Sequence, residues 1–183
     1  QRAITGGALI GTEALLRWRR GDELWAAGRF IGAVEDSGLI VAVGAWVLRE
    51  ACRQAAKWKL PVSVNVSVKQ LEEADFVQTV EEALHAAGLS ADLLEVEVTE
   101  SVVMHEGGTC VEQLQRLAAL GVRVAMDDFG TGYSSLSQLK RLPLTRLKVD
   151  RAFVKDLTTD LADFAVTQAV VTLGHALGLQ VIA

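Results

Sequence analysis

Short segments rich in Val, Leu and Ile alternate with longer segments of helical periodicity along the whole chain. The segments that predict strands are residues 8–13, 62–67, 93–98, 122–127, 146–150 and 180–183. Most of them are nearly continuous in apolar residues, which is typical of strands buried on both faces. Helical periodicity covers residues 43–59, 69–87 and 160–177. This alternation predicts an α/β fold in which parallel strands are joined by right-handed helical crossovers.

The ends of the predicted helices carry residues that favour helix termination and initiation. Gly88 and Gly178 follow two of the helical segments, where glycine commonly ends a helix. Asp160 and the pair Ser134-Ser135 are suited to cap helix N-termini, because their side-chain oxygens can accept hydrogen bonds from free backbone N–H groups.

Two architectures fit parallel strands joined by helices: an open doubly wound sheet and a closed eight-stranded barrel. No glycine-rich phosphate-binding motif follows the first strand, which disfavours a dinucleotide-binding open sheet. The strand ends are spaced by about 34 residues, and a complete barrel takes ~250 residues. With 183 residues and about six strands, we expect a single domain and an incomplete barrel that lacks pieces at one or both ends.

The composition restricts the classes of function. Half of the residues are apolar and 22% are charged, which excludes a disordered chain. The net charge of −5 argues against binding of long nucleic acid, while a small anionic ligand would need local neutralisation. Cys52 and Cys110 lack metal-site spacing and are expected to be buried thiols in a reducing compartment. The longest apolar run is too short for a ~20-residue membrane span, so we expect a cytoplasmic domain, whose parent protein could still be membrane-tethered.

Polar residues lie at the C-terminal end of each of the first five predicted strands. They are Glu13, Asn65, Glu97, Asp127 with Asp128, and Lys148 with Asp150. In a parallel barrel these ends share one rim, where four carboxylates would repel one another unless a cation lay between them. Oxygen ligands without Cys or His favour Mg²⁺ or Mn²⁺, and two such ions can stabilise the attacking and leaving oxygens of a phosphate ester. The alternative is that polar residues end these strands only because the chain meets water there.

Several ordered motifs resemble those of the EAL domain family. They are GTEALLRW around Glu13, then FIGAVEDSGLI, GAWVLREAC, VSVNVS, LLEVEVTES, VRVAMDDFGTGYSSLSQLKRLP and LKVDRAFV, and together they span essentially the whole chain. The resemblance implies a modified eight-stranded α/β barrel of the TIM type. It also implies hydrolysis of the bacterial second messenger cyclic di-GMP to linear pGpG, with Mg²⁺ or Mn²⁺ as cofactor and two ions expected.

The resemblance implies roles for individual residues. The implied metal ligands are Glu13, Asn65, Glu97, Asp127 and Asp128. Lys148 matches a lysine that orients the attacking water, and with Glu13 and Asp128 it forms the expected catalytic set. Leu15, Arg17 and Asp150 match substrate-binding positions. Coupling of the site to a homodimer interface is implied for Glu100 and for the loop residues Phe129, Gly130, Thr131 and Gly132.

Departures from the family pattern lie at both ends of the chain. The family's first strand with its ligand-contacting glutamine should precede the chain, and a metal-centre glutamate should follow Ala183. We therefore expect the isolated chain to be poorly stable or inactive. Separately, the family resemblance implies that the parent protein can carry linked sensory or cyclase domains. Two alternatives stay open: a cyclic di-GMP-binding module without activity, and a Mg²⁺-dependent barrel enzyme that forms an enolate with Lys148 as base.

Overall fold

A parallel sheet organises the chain. The computed structural model describes residue 1 and residues 7–104, 108–130 and 139–183. Within these residues, the main sheet contains β1 (Thr12–Ala14), β4 (Val62–Asn65), β5 (Leu94–Thr99), β6 (Arg123–Phe129), β7 (Arg146–Val149) and β8 (Gln180–Ile182). Every neighbouring pair in this order is parallel. Since spatial order follows chain order, the sheet is the half-barrel that the strand spacing predicted.

Helices connect the strands and cover the outer face of the sheet. They are α1 (Ile31–Asp36), α2 (Ile40–Trp58), α3 (Val68–Leu71), α4 (Phe76–Ala87), α5 (Ser101–Met104), α6 (Thr109–Ala119), α7 (Arg151–Lys155) and α8 (Leu161–Ala176), with 3₁₀ turns at Ala27–Arg29 and Ala91–Leu93. Gly88 ends α4 with a φ of +61°, and Asp160 caps α8 by accepting hydrogen bonds from the N–H groups of Ala162 and Asp163. Both of these sequence predictions are confirmed, whereas Ser134 and Ser135 lie outside the described residues.

The two faces of the sheet differ in polarity. Apolar strand residues such as Val64, Val96 and Leu147 are almost fully buried in one core with the helices. Alternate positions point to the barrel interior and are polar, including buried Glu95 and Arg146. The predicted burial of these strands on both faces is confirmed for β4, β5 and β7, but several of the inward-facing residues are polar or charged rather than apolar.

The predicted helix at residues 69–87 is wrong as a single element. It is divided into α3 and α4 at residues 72–75. Leu71 and Phe76 are both buried, yet five residues of continuous helix would place them about 140° apart around the axis. The break lets both side chains reach the same core. The other two predicted helices are confirmed with small changes, since α2 begins earlier, at Ile40.

A β-hairpin follows β1 that the sequence pattern did not predict. Its strands, β2 (Arg17–Arg20) and β3 (Glu23–Ala26), pair antiparallel around a turn at Gly21, whose φ is +60°. The rings of Trp18 and Trp25 pack edge to face across the pair, with centroids 5.4 Å apart. The first predicted strand, residues 8–13, is also displaced, because only Thr12–Ala14 pairs with β4.

Both cysteines are buried free thiols, as the sequence predicted. Among the described residues, no helix combines the length and the apolar character that a membrane span requires.

Candidate metal centre

Carboxylates from three separate strands meet at the carboxyl end of the sheet. Oxygen atoms of Glu13, Glu97 and Asp127 all lie within 4.8 Å of one another. Asn65, at the end of β4, donates a hydrogen bond from Nδ2 to Glu13 Oε1 at 3.2 Å. The parallel register creates this convergence, since it brings the same end of each strand to one rim.

Lys148 on β7 inserts its ammonium group among these carboxylates. Its Nζ atom donates to Glu97 Oε2 at 2.8 Å and to Asp127 Oδ2 at 3.0 Å, and lies 3.9 Å from Glu13 Oε2. Burial lowers the pKa of Lys148, but the hydrogen bonds and charges of Glu97 and Asp127 outweigh it, so that the pKa is raised overall. One ammonium thus faces three carboxylates, which leaves an excess of negative charge that a divalent cation can balance.

Glu97 is the most buried member of this cluster, with only 1% of its surface exposed. The pKa of Glu97 is raised to about 7: burial is the largest cause, Lys148 opposes it, and the charges of Glu13 and Asp127 contribute to the rise. Among the described residues, its Oε1 atom has no hydrogen-bond partner. A buried oxygen without a donor, beside two more carboxylates and an amide, fits a hard divalent cation such as Mg²⁺ or Mn²⁺.

A β-bulge in β6 brings two adjacent aspartates to the rim. The pairing of β6 with β7 shifts register between Met126 and Phe129, so that Asp127 and Asp128 together oppose Lys148 alone. In a regular strand, neighbouring side chains would point to opposite faces of the sheet. The bulge bends the strand locally and allows both carboxylates to serve one site.

Asp128 adopts the left-handed backbone conformation, with a φ of +53°. Aspartate tolerates this region better than most residues. Burial raises the pKa of Asp128, and the nearby carboxyl groups of Asp127 and Asp150 raise it further. Asp150 also caps α7 by accepting from the Ala152 N–H group at 2.5 Å. Negative charge is therefore concentrated on this side of the rim as well.

Glu100 connects the end of β5 to the end of β6. Its buried carboxylate accepts a hydrogen bond from the Gly130 N–H group at 2.8 Å. Gly130 has a φ of +105°, and a Cβ atom there would lie 3.0 Å from the Phe153 ring. Glycine is required at this position on both counts.

A pocket of about 710 Å³ opens beside the carboxylates. Leu15, Asn65, Glu97 and Asp128 line it, so the structure brings Leu15 to the predicted site. Arg17 lies instead on the exposed hairpin, where its Nη1 atom donates to the Leu16 carbonyl at 2.9 Å. With Glu13 and Leu15 it lines a smaller adjoining cleft of about 350 Å³.

Comparison with known proteins assigns the chain to a family. The EAL domain family model matches residues 1–183. The chain belongs to the EAL domain family. Two relatives from Pseudomonas aeruginosa are named as acting on cyclic di-GMP. MucR, a bifunctional diguanylate cyclase/cyclic di-GMP phosphodiesterase, is 44% identical over 97% of this chain, and the cyclic di-GMP phosphodiesterase NbdA is 43% identical over 99%.

This EAL domain spans about a quarter of each curated relative, 27% of MucR and 24% of NbdA. A solved structure described as the PaMucR phosphodiesterase in complex with c-di-GMP superposes with a TM-score of 0.90 at 43% identity. The match covers 96% of this chain and 74% of that one. The EAL enzyme Bd1971, described as bound to cAMP and cyclic di-GMP, gives 0.91 at 29% identity, covering 97% of this chain and 51% of that one. These similarities confirm the predicted fold class.

The structure brings most of the predicted site residues of this EAL domain to one rim. Their individual roles remain predictions, and Thr131 and Gly132 lie outside the described residues. Sequence reasoning missed a second charged level below the rim, formed by Ser63, Glu95 and Arg146. The signal for it was the alternation of charged and apolar residues in LEVEVT and RLKV.

Proposed function

We propose that this EAL domain is a metal-dependent phosphodiesterase that hydrolyses cyclic di-GMP to linear pGpG. The observation that carries the proposal is the meeting of Glu13, Glu97, Asp127 and Lys148 within hydrogen-bond or ion-pair distance at one rim, beside the pocket that Glu97 lines. The names of the relatives MucR and NbdA support cyclic di-GMP as the substrate.

The oxygen-rich rim suits two divalent ions. Glu13, Asn65, Glu97 and Asp127 would hold one ion, and Asp128 would join Asp127 in holding the other. Bound Mg²⁺ or Mn²⁺ supplies positive charge that stabilises the attacking and leaving oxygens of a phosphate ester. The neutral amide oxygen of Asn65 limits the total negative charge around the ion.

Lys148 contributes a fixed positive charge and hydrogen-bond donors beside the reacting phosphate. Its raised pKa keeps the ammonium charged near neutral pH, so it can orient the attacking water and stabilise the negative charge that develops on phosphate oxygens. Water adds across one P–O bond: its hydroxyl goes to phosphorus and its proton goes to the leaving sugar oxygen. Glu13 and Asp128 complete the proposed catalytic set, since each would be a ligand of one of the two ions next to Lys148.

Substrate contacts are proposed for the residues around the pocket mouth. Leu15 offers an apolar surface within the pocket, and Arg17 in the adjoining cleft can grip a phosphate with paired N–H donors. Asp150 lies beside Asp128 and is proposed to help orient the ligand.

We also propose that the end of β6 couples the site to a homodimer interface. The hydrogen bond from Gly130 to Glu100 supports this, because it ties the end of β5, the strand that carries Glu97, to the start of the loop that begins at Phe129. Linked sensory or cyclase domains and a cytoplasmic location of this domain are part of the same proposal, and the larger size of the relatives supports the linked domains.

The proposal is tested by incubating the full-length protein with cyclic di-GMP and either Mg²⁺ or Mn²⁺, and separating the products by chromatography. We expect pGpG to form, and the isosteric change Asp127→Asn to lower the rate by at least ~100-fold. Glu81→Gln makes the same chemical change at an exposed position of α4 and should leave the rate unchanged. Binding of cyclic di-GMP in a calorimeter without any turnover would select the receptor alternative instead.

A further inference from the structure

A second buried ion pair lies one level below the rim. Arg146 Nη1 on β7 donates to Glu95 Oε1 on β5 at 2.7 Å, and the two side chains are only 10% and 1% exposed. Ser63 Oγ donates to the same carboxylate oxygen at 2.7 Å, and Arg146 Nη2 donates to Gln180 Oε1 at 3.0 Å. This lower bridge therefore joins β4, β5, β7 and β8 inside the barrel.

The lower bridge repeats the geometry of the pair at the metal centre. Glu95 and Glu97 are two residues apart on β5, and Arg146 and Lys148 are two residues apart on β7, so each pair of side chains points to the same face. Both ion pairs span β6 with a similar separation, at 2.7 Å for the lower pair and 2.8 Å for Lys148 with Glu97. On β6, the residue in register with Arg146 is the small Ala125, and the residue in register with Glu95 is Arg123.

The energetics of the lower bridge argue against a purely stabilising role. Among the described residues, Glu95 Oε2 and Arg146 Nε are buried without a hydrogen-bond partner. Buried ion pairs lose most of their Coulomb energy to desolvation, and well-packed apolar replacements are often as stable or more stable. A pair with unsatisfied atoms contributes even less to the free energy of unfolding. We therefore expect its role to be the positioning of the strands that it joins.

We propose that Glu95 and Arg146 are positioning residues for the metal centre. The lower bridge fixes the separation of β5 and β7, and thereby the distance between Glu97 and Lys148 one level above. Loss of the bridge lets the two strands relax, and the carboxylate of Glu97 then no longer lies where the cation requires it. The inference rests on the proposed metal dependence but not on cyclic di-GMP as the substrate.

The test measures Mn²⁺ affinity by calorimetry and urea unfolding in EDTA on variants of the full-length protein. The double variant Glu95→Leu with Arg146→Met removes both charges, and we expect Mn²⁺ to bind ~10–100-fold more weakly. Its unfolding midpoint should be unchanged or higher, because no unpaired charge is left buried. Glu95→Gln keeps an acceptor for Arg146 and should bind Mn²⁺ within about threefold of the parent.

A single conservative variant keeps the test decisive if the double variant does not fold. Arg146→Lys retains the positive charge but loses the planar guanidinium group, whose two Nη atoms reach Glu95 and Gln180 at the same time. This variant should weaken Mn²⁺ binding by about 3–10-fold. Unchanged Mn²⁺ affinity in the folded double variant, or in Arg146→Lys, overturns the proposal. So does a Glu95→Gln variant that binds as weakly as the double variant. Because Mn²⁺ binding is measured directly, a failure of the phosphodiesterase proposal would show separately as absent turnover with intact metal affinity.

Discussion

The metal-free protein should lose stability as the pH rises from weakly acidic to weakly alkaline values, because Glu97 must then give up its proton in a buried site. Its pKa is about 7 in the folded protein, against an ordinary value of 4.5. A carboxyl group with a raised pKa contributes stability that is fully present below its unfolded pKa and is lost as the pH rises through the folded value. With about 1.4 kcal/mol for each tenfold change in proton affinity, the full effect is about 3 kcal/mol.

Urea unfolding in EDTA between about pH 5.5 and pH 8.5 captures roughly 2 kcal/mol of this loss. Glu97→Gln is the matched control, since it keeps the shape of the side chain and cannot titrate. The free energy of unfolding is plotted against pH for the parent and for this variant, and the difference between the two slopes gives the contribution of Glu97 alone. Saturating Mn²⁺ should flatten the slope of the parent, because a bound cation favours the ionised carboxylate. Parallel pH profiles for the parent and Glu97→Gln in EDTA would refute the reasoning.

Three further predictions concern packing and burial: one compares two helix glycines, one changes Gly130, and one labels Cys52. Gly44→Ala puts a Cβ atom 2.0 Å from the buried Gln70 side chain, so the clash should lower the free energy of unfolding by about 1–3 kcal/mol despite the better helix propensity of alanine. Gly32→Ala, where a Cβ atom meets open space, should instead raise the free energy of unfolding by up to about 1 kcal/mol. Urea unfolding of both variants checks this contrast. Gly130→Ala forces a side chain into a φ of +105° and should lower the unfolding temperature by several degrees, and an unchanged melting curve would contradict it. Burial raises the pKa of Cys52 to about 11, so this thiol should react with a disulfide reagent only after urea is added; rapid labelling of the native protein would contradict its burial.

Much of the fold and of the rim follows from the sequence because both depend on simple periodicities. Alternating strand and helix segments specify parallel pairing, and parallel pairing brings the carboxyl ends of the strands together. Glu13, Asn65, Glu97, Asp127 and Lys148 could therefore be placed at one rim from their positions along the chain alone.

The remaining features depend on local backbone geometry that periodicity does not encode. A regular strand would separate Asp127 from Asp128, and only the bulge opposite Lys148 brings both to one site. The break between α3 and α4 arises from packing of Leu71 and Phe76 into a common core, which is a tertiary effect. The hairpin was missed because its strands carry exposed arginine and tryptophan residues without an alternating pattern.

The polar interior of the half-barrel explains how so acidic a rim is compatible with folding. Each inward carboxylate at the centre of the sheet has a cation on β7: Arg146 for Glu95, and Lys148 for Glu97 and Asp127. At the lower level Glu95 pairs with Arg146 and is in register with Arg123 on β6, so its charge is matched, while at the rim one cation meets three carboxylates and the charges do not balance. The unbalanced level is also the one that opens into the pocket. Within the described part of the barrel interior, unmatched negative charge therefore lies at the level that a divalent ion and a phosphate ester can reach, while the charge-matched level below supplies a fixed framework.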